Sequence, residues 1–267
     1  MKLFVLYQKY DIIFLITIGD LQMAKYILFD TETTGAGETD RIIQVGAMIV
    51  HNRDEIEVFD ELCSTDVPIS IEAMEVHNIT PDVIENQPPY AELDFSKKLE
   101  ELNSKENYLI AHNINFDLDM VKKEGFDNNY TLIDTLRCAK HLLPDSPYHR
   151  LQYLRYSLEL YMTEGAEADK LGITIKAHDA IGDVLVMKLL LSKLVALAKE
   201  QFQGENPMDT LTKLTATPVL MKTFKFGKHK GKLVADVAKE DAGYMKWMKG
   251  NMDLDEDMAF TLDYYLG

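Results

Sequence analysis

Three short apolar runs, each ending abruptly in polar residues, constrain this chain more than any other feature. They are Tyr26-Ile27-Leu28-Phe29, Tyr108-Leu109-Ile110-Ala111 and Tyr130 to Ile133. Uninterrupted apolar runs of this length bounded by turn residues suit buried strands. The first enters an acidic, glycine-containing turn beginning at Asp30, the second is followed by a helix over about 113–124, and Asp134 opens the helix after the third. Two further strands are predicted over Ile42 to Val50 and Ile56 to Leu62, with His51-Asn52-Arg53-Asp54 as the hairpin between them. A helix follows Pro68 and runs through His77. Pro81, Pro88 and Pro89 then punctuate the chain before a polar helix over about 90–103. Helices dominate up to about residue 200, the last being long and apolar from Ala180 to Ala198. Three strands followed by alternating helix and strand indicate an α/β fold with a mixed five-stranded sheet flanked by helices.

Charge is distributed unevenly. The 267 residues carry 28 Lys and Arg against 44 Asp and Glu, a net charge of -16, which by itself argues against a polyanionic partner. Residues 218–250, however, hold eight Lys against three acids, so a small basic module accompanies an acidic body. An acidic body can still handle nucleic acid where carboxylates hold divalent cations. Two cysteines, Cys63 and Cys138, exclude a disulfide scaffold and a four-cysteine zinc site, and favour a reducing, cytoplasmic setting. No apolar window is long enough to span a membrane.

The expected organisation has four parts. Residues 1–22 read as an extension upstream of a native start at Met23, and 23–200 form the main domain. Residues 201–217, polar and containing Gly and Pro, read as a linker, and 218–267 form the basic C-terminal module.

Three polar clusters can carry chemistry. In Asp30-Thr31-Glu32-Thr33-Thr34-Gly35, strand alternation places Asp30 and Glu32 on one side, about 7 Å apart along the strand. Two carboxylates so placed repel unless a cation neutralises them. A turn or helix cap would explain the same residue types. In His112-Asn113-Ile114-Asn115-Phe116-Asp117, Asp117 falls in the first helical turn, where an acid also favours the helix dipole. In His178-Asp179-Ala180-Ile181-Gly182-Asp183, His178 precedes the last helix and would lean over Asp183, or simply cap the helix. Together these clusters gather four carboxylates at one edge of a sheet. With no cysteine among them they suit hard cations such as Mg²⁺ or Mn²⁺, and His178 is a natural base for a metal-bound water.

In order and spacing, Asp30 and Glu32, then Asp117 within His-Asn-x-x-Phe-Asp, then His178-x-Ala-x-x-Asp183 resemble the three motifs of the DEDDh superfamily of 3′→5′ exonucleases. Residue 179 is not Tyr, so the tyrosine-containing sister branch does not fit. A weaker family segment runs from Ile69 to Thr80. The resemblance implies a ribonuclease H-like fold and stepwise hydrolysis of a polynucleotide to 5′-mononucleotides. It also implies two Mg²⁺ (or Mn²⁺) ions, about 4 Å apart in such sites. Asp30, Glu32 and Asp183 would hold one ion and Asp30 with Asp117 the other, while His178 takes a proton from the attacking water. Thr33, His77, Asn113 and Phe116 would meet the terminal nucleotide, although Phe116 serves equally well as core.

Met221 to Lys232, followed by Tyr244-Met245-Lys246-Trp247-Met248, resembles the C-terminal module of the exodeoxyribonuclease X family. Gly227 to Lys232 superficially imitates a phosphate-binding loop, but the spacing is one residue short and Leu233 stands where Ser or Thr is needed. Lys225, Lys228, Lys230 and Lys232, with Phe224 and Phe226 among them, read as a nucleic-acid-binding segment. Trp247 reads as part of the module's small core. This tail favours DNA over RNA as the partner. An exoribonuclease, a polymerase proofreading subunit and an inert nucleic-acid-binding protein are the alternatives, and the oligomeric state stays open.

Overall fold

The structure is a computed structural model describing residues 24–52, 54–174 and 179–267. The expected extension over residues 1–22 lies outside the described residues. Five strands, β1 (Tyr26–Thr33), β2 (Ile42–Val50), β3 (Ile56–Leu62), β4 (Tyr108–Ala111) and β5 (Thr131–Asp134), form one sheet in the order β3-β2-β1-β4-β5. β2 pairs antiparallel with β1 and β3, whereas β4 runs parallel to β1 and β5. This is the mixed sheet expected from the order of strands and helices.

The strands are where the apolar runs place them, except that β5 is displaced by one residue to end on Asp134, which pairs with Ala111, and β1 is extended. β1 continues through Asp30, Thr31 and Glu32, because these residues keep pairing with Gly46, Val45 and Gln44 before the register shifts between Glu32 and Thr33. Alternation along β1 splits the interior in two. Tyr26 and Leu28 join one core, and Ile27 and Phe29 the other, on the opposite face of the sheet.

Helices cover both faces. α1 (Ile71–His77) and α2 (Pro81–Ile84) follow β3, and α3 (Asp94–Glu101) precedes β4. The polar helix expected over 90–103 is broken: a single 3₁₀ turn, Tyr90–Glu92, is separated from α3 by Leu93, whose extended backbone turns its side chain into the core. α4 (Ile114–Lys123) follows β4, and α5 (Thr135–Leu142) follows β5, capped by Asp134, whose carboxylate accepts from Leu136 and Arg137 N–H groups. α6 (Leu151–Ser157) and α7 (Tyr161–Leu171) lead to the long α8 (Ala180–Gln201), which lies across β1 and β2.

Residues 201–217 are not simply a linker. α9 (Pro207–Thr215) starts with Asn206 as its cap and Pro207 in the first turn. Met208, Leu211 and Leu214, three residues apart, bury one stripe against the same core as α5 and α8. The polar residues between them hid that stripe.

The C-terminal module comprises α10 (Val234–Glu240), α11 (Ala242–Asn251) and α12 (Glu256–Leu266) around a separate small core of Phe224, Val234, Val237, Met245, Met248, Met258 and Leu262. Trp247 is not in it. It is 53% exposed, a correction to the sequence reading, because α11 turns Met245 and Met248 inward and leaves the intervening Trp247 on the outer face. Ion pairs join module to body: Asp257 pairs with Lys140 at 3.2 Å and Arg137 at 3.4 Å, and Lys222 pairs with Asp145. Within the module Asp257 also accepts the Val219 N–H at 2.9 Å. Among the described residues no helix is long and apolar enough to cross a membrane.

Candidate active site

The site lies where the parallel strands end. In open α/β sheets the carboxyl ends of the strands form the crevice that ligands use. Asp30 and Glu32 project from the end of β1 on the face that carries α8, as Tyr26 and Leu28 do two and four residues earlier. Asp183 comes from the first turn of α8, and Asp117 from the first turn of α4.

Close approach of α8 to the sheet depends on one glycine. Gly46 lies opposite Asp30 in the β1–β2 ladder. A Cβ on Gly46 would stand 2.3 Å from both the Ala180 carbonyl carbon and the Ile181 nitrogen. Glycine therefore lets the start of α8 rest on the sheet beside Asp30.

The four carboxylates act on one another. Burial pushes the Asp30 carboxyl well up, and Asp117, Asp183 and Glu32 raise it further. Glu32 is pushed up to about 8 by burial, with Asp183, Asp117 and Asp179 adding to the effect. Asp117, only 3% exposed, rises to about 7 through burial, although two hydrogen bonds from Thr31 oppose the shift. Thr31 donates its N–H (3.1 Å) and its hydroxyl (2.8 Å) to Asp117 Oδ1. Among the described residues, the charged neighbours that raise Asp30 and Glu32 are all carboxylates. Such a cluster gains from a cation.

The donor chemistry fits a hard divalent cation. Oxygen donors converge here, and both cysteines are elsewhere: Cys63 donates to the Ile42 carbonyl, Cys138 to that of Leu211, and burial pushes both thiols up to about 12. Among the described residues no three His, Cys, Asp or Glu side chains already stand around one point as a closed metal cage.

Neighbouring side chains orient the acids. Gln152 donates to Asp183 Oδ1 at 2.6 Å, and Arg155 fixes the Gln152 amide by donating to its Oε1 at 3.1 Å. Glu164 holds Arg155 through two bonds of 2.7 and 2.9 Å. Gln44 opposes Glu32 in the ladder and donates to Asp60 at 2.8 Å and Asp179 at 2.9 Å. Asp179 is buried, and its Oδ2 has no hydrogen-bond partner among the described residues. The spacing of acids alone did not single out Thr31, Gln44, Gln152 or Asp179. Only the register and the α6–α8 packing bring these residues in.

The remaining expected site residues divide. His178 lies outside the described residues. His77 is 5% exposed and uses both ring nitrogens: Ile79 N–H donates to Nδ1 at 3.0 Å, so Nε2 carries the proton and donates to the Thr33 carbonyl at 3.2 Å. It pins the turn after β1 and has no nitrogen left for a nucleotide, contrary to the contact expected from the sequence. The Thr33 hydroxyl is likewise used, donating to the Gly35 carbonyl at 2.7 Å. Asn113 is exposed, with φ of 81°, a left-handed conformation that Asn tolerates, and its N–H donates to Asp134 at 3.1 Å. Phe116 is half-buried and lines an opening of about 480 Å³ with Gly37 and Lys123. In the module, Lys225, Lys230 and Lys232 are exposed, and Lys228 pairs with Asp241 at 2.7 Å.

Comparison with known families agrees with this geometry. The family described as "Exonuclease" matches residues 27–191. This chain belongs to the exonuclease family. Enzymes of this family depend on divalent metal. A second family, described as "Exodeoxyribonuclease X-like C-terminal", matches residues 224–253 of the exonuclease. Escherichia coli K12 exodeoxyribonuclease 10 is 28% identical over 90% of this chain and 97% of its own length. DNA polymerase III subunit epsilon of Treponema pallidum is 30% identical over 64% of this chain and 76% of its own. Among solved structures, E. coli Exonuclease I in complex with a dA16 oligonucleotide shares the fold, with a TM-score of 0.50 and 19% identity over 74% of this chain and 46% of that one. Exonuclease X in complex with 5′ overhanging duplex DNA gives a TM-score of 0.49 and 21% identity, over 71% of this chain and 99% of that one.

Proposed function

We propose that this exonuclease removes 5′-mononucleotides stepwise from the 3′ end of DNA, using Asp30, Glu32, Asp117 and Asp183 to hold divalent cations, Mg²⁺ or Mn²⁺. The observation that carries this reading is the gathering of those four carboxylates at one sheet edge, where Asp117 and Asp183 raise both Asp30 and Glu32. When bound, such ions lower the pKa of a water and balance the charge that develops on the phosphate.

The chain's own residues do the rest. His178 is assigned the proton of the attacking water. Gln152 keeps Asp183 turned into the site, and Thr31 keeps Asp117 there, so that the donors are oriented before substrate arrives. His77 and Thr33 shape the turn that the terminal nucleotide approaches, with Asn113 and Phe116 assigned to its base and sugar. Lys225, Lys228, Lys230 and Lys232 are assigned to phosphates further along the strand. Cytoplasmic DNA is the substrate that suits a chain with two buried, reduced thiols.

Matched 5′-labelled single-stranded DNA and RNA of one sequence, incubated with Mg²⁺ or with chelator, test this reading. A metal-dependent ladder on DNA with little on RNA is expected. A ladder mainly on RNA would overturn the choice of substrate, and silence on both would overturn the enzyme reading.

A further inference from the structure

The C-terminal module presents an aromatic face that nothing among the described residues covers. Trp247 is 53% exposed, and its ring lies nearly parallel to that of Tyr244, with centroids 6.0 Å apart and 26° between planes. Tyr244 is held from behind. It meets Phe224 and His229 edge-on at 6.3 and 4.9 Å, and its hydroxyl accepts the Lys228 N–H at 3.2 Å. Gly227, at φ of 73°, admits that hydroxyl, since a Cβ there would stand 2.3 Å from it. Asp241 caps α11 and binds both Lys228 and His229, fixing the loop against the helix. The aromatic pair is therefore built on a rigid support.

Its surroundings select the occupant. Lys228 Nζ lies 5.8 Å from the Tyr244 ring centre, and the loop that supports the ring also carries Lys225, Lys230 and Lys232, exposed and without an ion-pair partner among the described residues. Stacked aromatic rings among unpaired lysines complement a chain of bases and phosphates. Lysines alone would read any polyanion. The aromatic faces add a requirement, because bases inside a duplex are covered on both faces by their neighbours, whereas successive unpaired bases can each turn a face to a ring. We propose that Trp247 and Tyr244 form a stacking platform for unpaired bases of the substrate strand, so that the module favours single-stranded DNA over duplex. This rests on the DNA-exonuclease reading above.

Trp247 is the only tryptophan in the chain and is its own reporter. The full-length protein, held in chelator, is titrated with oligothymidylate, with a blunt duplex and with inorganic polyphosphate while tryptophan emission is followed. Saturable quenching by oligothymidylate, with much less from the other two, is expected. Trp247→Ala should weaken oligothymidylate binding about tenfold or more, measured by anisotropy of a labelled strand, and Trp247→Phe should restore most of it. Tyr264→Ala, which removes another exposed aromatic outside the platform, should leave binding where it is. Emission that ignores oligothymidylate, equal quenching by duplex, or unchanged affinity in Trp247→Ala would each overturn the platform. If metal-dependent DNA hydrolysis persists in that case, the nuclease reading stands and the platform alone falls. If hydrolysis is absent in the unsubstituted protein while emission still responds to oligothymidylate, the reverse holds.

Discussion

Asp30 and Gly46 face each other across the β1–β2 ladder, and the missing side chain of one is what lets the carboxylate of the other meet α8. Backbone atoms of Ala180 and Ile181 occupy the space a Cβ would need, and they cannot swing aside as a side-chain tip can. Gly46→Ala should therefore push α8 off the sheet, costing about 3 kcal/mol of stability. Thermal melts should show the loss, and activity should fall by more than the folded fraction does, because Asp183 moves with the helix.

Removing one charge from the cluster should stabilise the protein while it abolishes turnover. Between the ordinary carboxylate range and the raised values of about 7 for Asp117 and about 8 for Glu32, the folded state holds protons that the unfolded chain releases. Stability of the metal-free protein should accordingly be highest near pH 5 and fall as pH rises toward 8. Asp30→Asn should raise the metal-free Tm at pH 8, and so should Mg²⁺ or Mn²⁺ added to the unsubstituted protein. A Tm that rises with pH in chelator would contradict the assignment.

Gln152→Ala leaves the four acids in place but frees Asp183 from its 2.6 Å donor. Loss of such an orienting bond typically costs 10- to 100-fold in metal affinity or rate. Metal titration followed by calorimetry should show the weaker affinity with little change in Tm.

Neutralising Lys225, Lys230 and Lys232 together to Gln should reduce the salt dependence of single-strand binding. Each phosphate contact contributes about 0.7 to the slope of log affinity against log salt, so the slope should drop by about 2. An unchanged slope would return these lysines to the solvent.

Most of the scaffold was legible in the chain because its strands are short, apolar and terminated by acids. β2, β3 and β4 begin and end where the runs Ile42–Val50, Ile56–Leu62 and Tyr108–Ala111 do. Carboxylate spacing drew attention to Asp30, Glu32, Asp117 and Asp183 because strand alternation and helix starts are local properties. What escaped was non-local. α9 hides three buried apolar residues in a polar segment, His77 spends both nitrogens on backbone groups of two separate turns, and Trp247 faces outward because its neighbours on α11 already fill the core. Aromatic composition cannot tell a core ring from a surface one when two methionines compete for the same interior.

Asp257 ties the module to the body through Arg137 and Lys140, while the hydrocarbon of the two halves stays in separate cores. Buried pairs are screened far less than exposed charges, and Asp257 is 8% exposed whereas Lys225, Lys230 and Lys232 lie at the surface. Salt that loosens the grip on phosphates would therefore leave this junction closed.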